Sequence, residues 1–228
     1  MRKGTAVLLF TRTPKEEAIA RPYHRSLGLK LVKRLIGRAK LRLKESGFDS
    51  FVLDSNNQYG DTFGERLSNA FHDIFESGYD RVIAIGNDAP TLTSQDIAKA
   101  DSHLNKESLV IGPSSNGGVY LLGLHKSAFD EDLFIKLPWQ TPDLVREIRG
   151  NYASALKLKG SELDLKFEVE DYDSLGSYIS ISSVCDSLAK WAQSILSSIV
   201  RYTLTIFSST YHRRFSLYCG LRAPPLHF

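Results

Sequence analysis

A short, wholly apolar run at residues 82–85 constrains the fold more than any other feature of the chain. Such a run is typical of a strand buried on both faces. It is followed by the segment G-N-D-A-P at residues 86–90, and Thr93 or Ser94 can then cap a helix. The pattern places the Asp88 carboxylate at the carboxyl end of a central strand, where open α/β sheets bind ligands.

A glycine-rich segment follows after about one strand-helix-strand unit. Residues 112–123 have the pattern of a strand, a loop and a second strand, and the loop carries Asn116, Gly117 and Gly118. Paired glycines let the backbone approach a ligand closely. An Asn-Gly hairpin turn explains the same residues equally well, because both tolerate positive φ. Together with Asp88, the segment predicts a nucleotide and metal site on a Rossmann-like sheet.

The remaining pattern alternates strands with amphipathic helices. Strands are predicted at residues 6–11, 51–53, 82–85 and 109–111, and a long helix at 23–46 stops at Gly47. Asp61 or Thr62 can cap a further helix, which ends at Gly78. This alternation predicts an α/β, Rossmann-like three-layer sandwich with a mostly parallel central sheet. The two strands around Asn116 would add an antiparallel element at one side.

Bulk composition limits the class of partner and the compartment. The chain has 228 residues, enough for one α/β domain, and 29 Lys+Arg against 26 Asp+Glu give a net charge of +3. That excess is too small to indicate nucleic acid, although an anionic nucleotide is compatible with it. Cys185 and Cys219 form neither a disulfide framework nor a cysteine metal cluster, so we expect a cytoplasmic protein. The apolar residues 6–10 indicate a first strand rather than a signal peptide.

Residues 187–228 are predicted to form a C-terminal helical extension, separate from a domain at residues 1–186. Apolar residues fall at helical spacing along it: Leu188, Trp191, Ile195, Ile199 and Tyr202. The favoured interpretation is a helix that packs on the domain or on a second subunit, which would make a homodimer. A basic, aromatic helix lying on a membrane surface is the less favoured alternative.

Four segments, in the same order, resemble those of a family of glycosyltransferase-A-type transferases. These are the radical-SAM/selenodomain-associated transferases, a domain-of-unknown-function family related to molybdopterin guanylyltransferase-like nucleotidyltransferases. Residues 86–92 are similar to the family's G-S-D-C-P-x-L, and residues 112–123 to G-P-x-x-D-G-G-Y-Y-L-I-G. Residues 59–67 resemble G-x-L-G-E-R-M, and residues 138–142 resemble P-W-S-T-P. The resemblance runs from about Ala6 to about Asp173 and implies a glycosyltransferase-A-like nucleotide-diphospho-sugar transferase domain.

The resemblance implies a metal-dependent transferase. Its donor would be a nucleotide sugar or a nucleoside triphosphate, and a glycosyl or nucleotidyl group would pass to an unknown small-molecule acceptor. Asp88 would be the catalytic residue and would hold Mg²⁺ or Mn²⁺, which neutralises the phosphates of the leaving nucleotide. The alternative is that Asp88 only caps a turn, because Asn-Asp-Ala-Pro is ordinary turn chemistry.

The resemblance also implies a set of nucleotide- or substrate-binding residues: Arg12, Lys15, Glu65, Arg66, Asn87, Pro90, Asn116, Gly117, Gly118 and Trp139. Glu65 and Arg66 are equally compatible with a solvated helix face, and Trp139 with a buried aromatic residue. Asn116 stands where the family more often has Asp, which weakens a direct metal contact there. Residues 171–174 match the family's D-V-D-T, a second place where carboxylates could reach the metal or the acceptor.

The segment after the first strand departs from the family pattern. Glu17 stands where the family has Gly, and Ala20 and Pro22 stand where it has Lys and Arg. Two cations are therefore absent and a carboxylate is added beside the expected phosphate site, with three cations as possible substitutes: Arg12, Lys15 and Arg21. These departures favour the alternative function, a catalytically silent nucleotide-binding or scaffold protein that retains the transferase fold.

Overall fold

A computed structural model describes residues 3–23 and 25–197 of the chain. The chain divides into two compact units with the boundary between Gly176 and Ser177, and each unit is described by itself. The domain boundary expected at residue 187 stays a prediction. Among the residues expected in the C-terminal extension, Ile199 and Tyr202 lie outside the described residues, as does Cys219.

The first unit is built on a six-stranded sheet with the strand order β2-β1-β3-β5-β4-β6. Strand β5 runs antiparallel to both of its neighbours, and the other three pairings are parallel. The predicted α/β fold with a mostly parallel sheet is confirmed. The strands are β1 (Lys3–Phe10), β2 (Asp49–Leu53), β3 (Tyr79–Ile85), β4 (Leu109–Pro113), β5 (Val119–His125) and β6 (Gly160–Glu162).

Helices cover both faces of this sheet. Side chains alternate between the faces along β1 and β3. Leu8 and Val82 face one core with α3, and Val7 and Ile83 face a second core with α2 and α4. The helices are α1 (Pro14–Ala20), α2 (Arg25–Ser46), α3 (Phe63–Glu76), α4 (Ser94–Leu104), α5 (Glu131–Ile135), α6 (Leu144–Glu147), α7 (Ala153–Ala155) and α8 (Tyr172–Ile181).

The starts of the main helices follow from local hydrogen bonds. Thr62 caps α3 through a capping box in which its side chain accepts from the Glu65 amide and the Glu65 carboxylate accepts from the Thr62 amide. Thr93 forms the same arrangement with Asp96 at α4. Of the alternatives predicted for each cap, the structure therefore selects Thr62 and Thr93.

Three features differ from the sequence predictions. The antiparallel strand β5 lies between β3 and β4 rather than at one side of the sheet, because its residues 121–125 pair with β3. Residues 14–20 form the short helix α1, which Thr13 caps with Glu16. The sequence T-P-D-L at residues 141–144 predicts a helix start capped by Thr141, but Thr141 donates to the Pro138 carbonyl at 2.8 Å in a turn, and α6 begins only at Leu144.

In the second unit, residues 187–197 are helical, and the helical extension as a whole stays a prediction. No described helix has both the length and the apolar character that crossing a membrane requires.

Candidate functional site

The carboxyl ends of β1 and β3 open into a cavity of about 530 Å³. Because β5 runs antiparallel between β3 and β4, the loop that precedes it reaches the same edge of the sheet. Strand ends and this loop therefore converge on one space. The cavity lining includes these predicted site residues: Arg12, Arg66, Asn87, Asp88, Asn116, Gly118 and Trp139.

Two side chains at the end of β3 carry polar atoms that have no hydrogen-bond partner among the described residues. Asn87 Oδ1 accepts from Thr11 Oγ1 at 2.9 Å, which fixes the amide, while its Nδ2 is buried and finds no partner in the described part of the chain. Asp88 Oδ1 is likewise buried and unpaired among the residues that the structure describes. The Asp88 carbonyl accepts from the Val169 amide at 2.8 Å, which holds the backbone in place. A rigid backbone thus presents an unused donor and an unused acceptor side by side.

Arg21, which follows α1, joins Asp88 to a second carboxylate. One of its Nη atoms lies 2.6 Å from Asp88 Oδ2 and 2.6 Å from Glu17 Oε1. Nε donates to the same Glu17 oxygen at 2.7 Å, and the other Nη donates to the Val169 carbonyl at 2.7 Å. Arg12 approaches Glu17 more loosely, at 3.6 Å. The carboxylate that departs from the family pattern is therefore the anchor of a buried guanidinium.

The charges lining the cavity do not balance. Three guanidinium groups face four carboxyl groups, those of Glu17, Asp88, Glu168 and Glu170. Burial raises the pKa of the Asp88 carboxyl, and the nearby Arg21 opposes that shift. Burial and the charge of Asp88 raise the pKa of Glu168 to about 7, against the hydrogen bond from Asn116. A carboxyl group with such a pKa can exchange a proton near neutral pH.

Asn116 organises the loop before β5. Its Oδ1 accepts from the Gly118 amide at 3.0 Å, and its Nδ2 donates to Glu168 Oε2 at 2.8 Å. An ionised Asp at this position could not donate to Glu168, so the amide suits the neighbouring carboxylate. Gly117 has φ +87°, and a Cβ there would lie 2.1 Å from the Pro142 carbonyl oxygen. Gly117 therefore lets the loop pack against residues 142–145 rather than lining the cavity itself.

Trp139 forms an aromatic wall of the cavity. Its Nε1 donates to the Phe134 carbonyl at 2.8 Å. The centroid of its ring lies 4.8 Å from the centroid of the Phe134 ring and 5.6 Å from that of the Phe63 ring. A Cβ on Gly64 would lie 2.8 Å from Trp139 Cδ1, so the glycine makes room for the indole. Trp139 is thus a partly buried aromatic residue that also lines the cavity, and its contact with a substrate stays a prediction.

Other predicted site residues lie elsewhere. Glu65 is outside the cavity lining, and its carboxylate accepts from the Asp61 and Thr62 amides at 2.7 and 3.0 Å. Lys15 is exposed on α1, Pro90 is buried, and neither lines the cavity. Arg66 does line it, while its Nη1 donates to the Asp61 carbonyl at 3.0 Å.

The carboxylates expected at residues 171–174 do not reach the cavity. Asp171 Oδ1 accepts from the Ser174 amide at 2.8 Å, in a turn at the start of α8. Glu168 and Glu170 line the cavity in their place. The sequence pattern that indicates this pair is the alternation Glu-Val-Glu at residues 168–170. Val169 is fully buried, and residues two apart on an extended chain lie on the same face.

The donor atoms present fit a hard divalent cation, although no group of three or more potential ligands gathers in the described part of the chain. Carboxylate oxygens are the ligands that Mg²⁺ prefers, and Mg²⁺ is usually bound by one or two carboxylates together with substrate phosphates. The unpartnered, buried Oδ1 of Asp88 meets that description. A single strand-end carboxylate is therefore chemically sufficient for a cation shared with a phosphorylated ligand.

Comparisons with known proteins agree with this architecture. Residues 42–141, slightly less than half of the chain, match a family described as uncharacterized protein conserved in bacteria (DUF2064). No curated protein matches the sequence. The structure is similar to that of a candidate nucleotide-diphospho-sugar transferase from Desulfovibrio desulfuricans G20, with a TM-score of 0.73 and 20% identity. That alignment covers 87% of this chain and 97% of the other.

Weaker similarity extends to Rv0371c from Mycobacterium tuberculosis H37Rv, with a TM-score of 0.46, 9% identity and coverage of 78% of this chain and 97% of the other. A structure of that protein in complex with manganese gives a TM-score of 0.42 and 11% identity, and covers 77% and 97%. Likeness this slight bears on neither ligand nor chemistry here. The similarity to the Desulfovibrio protein does bear on architecture, because the two chains share one fold.

Proposed function

We propose that this protein is a metal-dependent transferase. It binds a nucleotide-activated donor, either a nucleotide sugar or a nucleoside triphosphate, and passes a glycosyl or nucleotidyl group to a small-molecule acceptor. The observation that carries the proposal is the carboxylate of Asp88, at the carboxyl end of a central strand with one buried, unpartnered oxygen. Leaving a buried polar atom unpaired costs about 1–3 kcal/mol, so a ligand that pairs with it offsets that cost.

The charges of the cavity support the involvement of a cation. With four carboxyl groups against three guanidinium groups, the ligand-free cavity repels a nucleotide diphosphate if all are ionised. One divalent ion reverses that balance, and Asp88 is the residue that would hold it. When bound, Mg²⁺ or Mn²⁺ would neutralise the charge that develops on the leaving phosphate.

The remaining lining residues have roles that follow from their contacts. Arg12, whose side chain is 42% exposed, and Arg66 line the cavity and would contact the donor phosphates. The Asn87 Nδ2 atom is a buried donor available to a ligand oxygen. Trp139 supplies an apolar wall for a sugar or base. Glu168 is the carboxylate suited to take a proton from an acceptor hydroxyl.

The whole chain is also proposed to belong to the family that residues 42–141 match. Outside that range, residues 171–174 support this, because they stand where the family commonly has D-V-D-T. The narrower relation to radical-SAM/selenodomain-associated and molybdopterin guanylyltransferase-like enzymes rests on the four sequence segments alone.

A thermal-shift screen tests the proposal. Nucleoside diphosphates, nucleoside triphosphates and nucleotide sugars would each be added with and without Mn²⁺, to the wild type and to Asp88→Asn. A ligand that binds only the native state raises the melting temperature by mass action. We expect at least one nucleotide to stabilise the wild type in a Mn²⁺-dependent way and to lose that effect in the variant. Equal stabilisation of both proteins would refute the proposal.

The second candidate is a catalytically silent nucleotide-binding or scaffold protein. The ion pair between Arg21 and Asp88 favours it, because a guanidinium already neutralises the carboxylate. This candidate predicts that nucleotides stabilise the protein to the same extent whether or not Mn²⁺ is present.

A further inference from the structure

We propose that Arg21 is a tethered cation that holds Asp88 in the ligand-free protein and competes with the divalent ion for that carboxylate. When the ion binds, the guanidinium leaves Asp88 and becomes available to the donor phosphates. This inference rests on the proposed function, because it takes Asp88 as the residue that holds the ion.

While Arg21 is in place, neither oxygen of Asp88 is both unpaired and open to solvent. Oδ1 is unpaired among the described residues but closed to solvent, while Oδ2 lies 2.6 Å from an Arg21 Nη atom. The Asp88 side chain is 24% exposed, so an arriving cation meets the side of the carboxylate that the guanidinium occupies. Two cations within contact distance repel each other strongly in a partly desolvated site. The ion and Arg21 therefore exclude each other.

Glu17 supplies the tether. It lies one helical turn before Arg21, and its Oε1 atom contacts both Nε and an Nη of the guanidinium. These contacts do not involve Asp88, so the guanidinium can leave Asp88 while it remains anchored on α1. Its side chain is 9% exposed and stays at the cavity lining throughout. The carboxylate that departs from the family pattern at the expected phosphate site thus keeps a cation beside that site.

The other two guanidinium groups of the cavity lack this arrangement among the described contacts. Arg12 lies 3.6 Å from Glu17, and Arg66 donates to the carbonyls of Gly60 and Asp61. Arg66 is therefore a matched control, because it carries the same charge in the same cavity without contacting Asp88.

The competition has a thermodynamic consequence that reaches the nucleotide. Binding couplings are reciprocal, so a phosphate that draws Arg21 away from Asp88 raises the affinity for the ion by the same factor that the ion raises the affinity for the phosphate. Cation and nucleotide should then bind cooperatively in the wild type and lose most of that cooperativity without Arg21.

Titration of free Mn²⁺ by electron paramagnetic resonance tests the inference without an activity assay. In the absence of nucleotide, Arg21→Gln should bind Mn²⁺ at least about tenfold more tightly than the wild type, the scale of one charge-assisted contact. Glu17→Gln, which keeps Arg21 and removes a carboxylate, should bind it more weakly. Arg66→Gln should change the affinity by less than about threefold, as expected for a screened charge without contact.

A double variant, Glu17→Gln/Arg21→Gln, keeps the test valid if the single Arg21 variant leaves Glu17 unpaired and fails to fold. It removes one charge of each sign, so the net charge of the cavity is that of the wild type. Its affinity for Mn²⁺ should still exceed that of the wild type.

Three outcomes separate the inference from the function on which it rests. Unchanged Mn²⁺ affinity in both Arg21 variants, with nucleotide-dependent Mn²⁺ binding in the wild type, overturns the role of Arg21 alone. An equal gain in Mn²⁺ affinity in Arg66→Gln and Arg21→Gln also overturns it, because the loss of any positive charge in the cavity would then explain both gains. No Mn²⁺ binding by any protein, even with a nucleoside diphosphate, overturns both the inference and the proposed metal site.

Discussion

The start of α3 and the end of β3 each present a carboxylate that the sequence marks as a site residue, and the two are held in opposite ways. Glu65 accepts from two backbone amides, and these hydrogen bonds lower its pKa. Asp88 keeps one buried oxygen without a partner, and burial raises its pKa. A carboxylate whose hydrogen bonds are completed locally stabilises the fold, whereas one left incomplete beside a cavity is suited to a ligand.

The largest effect that we expect is on nucleotide affinity, which should fall when Asp88 is replaced and stay nearly unchanged when Glu65 is replaced. Asp88→Ala should lower nucleotide affinity in the presence of Mn²⁺ by at least about a thousandfold, or about 4 kcal/mol, because the variant loses the carboxylate that holds the ion. Glu65→Gln, the matched control, should bind within about twofold of the wild type. Isothermal titration calorimetry measures both, with circular dichroism as the check on folding. A comparable loss in the Glu65 variant would mean that the comparison is wrong.

The second expected effect concerns pH and Glu168. Its pKa is about 7 in the folded protein against an ordinary value of 4.5, so the native state binds the proton more tightly than the unfolded chain does. The stability that this proton confers is therefore present below about pH 4.5 and is lost as the pH rises through 7. Glu168→Gln should raise the free energy of unfolding by about 1–2 kcal/mol at pH 8 and have little effect at pH 4.

Urea denaturation of the wild type and of Glu168→Gln at the two pH values checks this expectation. If Glu168→Gln destabilises the protein equally at both pH values, the raised pKa is not the source of the effect.

The third effect concerns the charge of α1. Glu17→Gln/Ala20→Lys removes a carboxylate and adds a cation to the cavity lining, so binding of a nucleoside diphosphate without metal should tighten by about tenfold. Gln replaces Glu17 here because Gly within α1 would also cost helix stability. Ile19→Lys, at a position 71% exposed and outside the cavity lining, controls for charge on the same helix. An equal gain in nucleoside diphosphate affinity in the control would show that the charge of α1 acts only at long range, without contact in the cavity.

The smallest effect is the pH dependence of Glu65, and its sign is opposite to that of Glu168. Because the pKa of Glu65 is lowered in the folded protein, its contribution to stability is present at neutral pH and disappears as the pH falls below the range of an ordinary carboxyl group. Glu65→Gln should therefore lower the melting temperature slightly at pH 7 and leave it unchanged at pH 3. A drop of the same size at both pH values would contradict the capping role.

The sequence predicts what local contacts determine. The apolar run at residues 82–85 identifies a central strand, and Asp88 follows it at the cavity for that reason. The sequence also predicts a cap at Asp61 or Thr62, of which the structure shows Thr62, and Glu65, for which the resemblance suggested a ligand contact, completes the capping box.

The parts that sequence analysis misses depend on contacts between distant segments. Arg21 donates to the Val169 carbonyl, 148 residues away, and that contact joins the end of α1 to the segment that bears Glu168. The pattern of apolar residues within one segment does not predict such a contact between distant segments. The position of β5 between β3 and β4 is likewise not determined by local sequence, because strand order depends on the packing of the complete sheet.

The most direct test of the account is a crystal structure with Mn²⁺ and a nucleoside diphosphate, with anomalous diffraction used to locate the metal. The account predicts an anomalous peak bound to the Asp88 carboxylate and to phosphate oxygens, with Arg21 released from Asp88 and still in contact with Glu17. A nucleotide in the cavity with the Arg21–Asp88 ion pair intact, or a peak away from Asp88, would contradict the central claim.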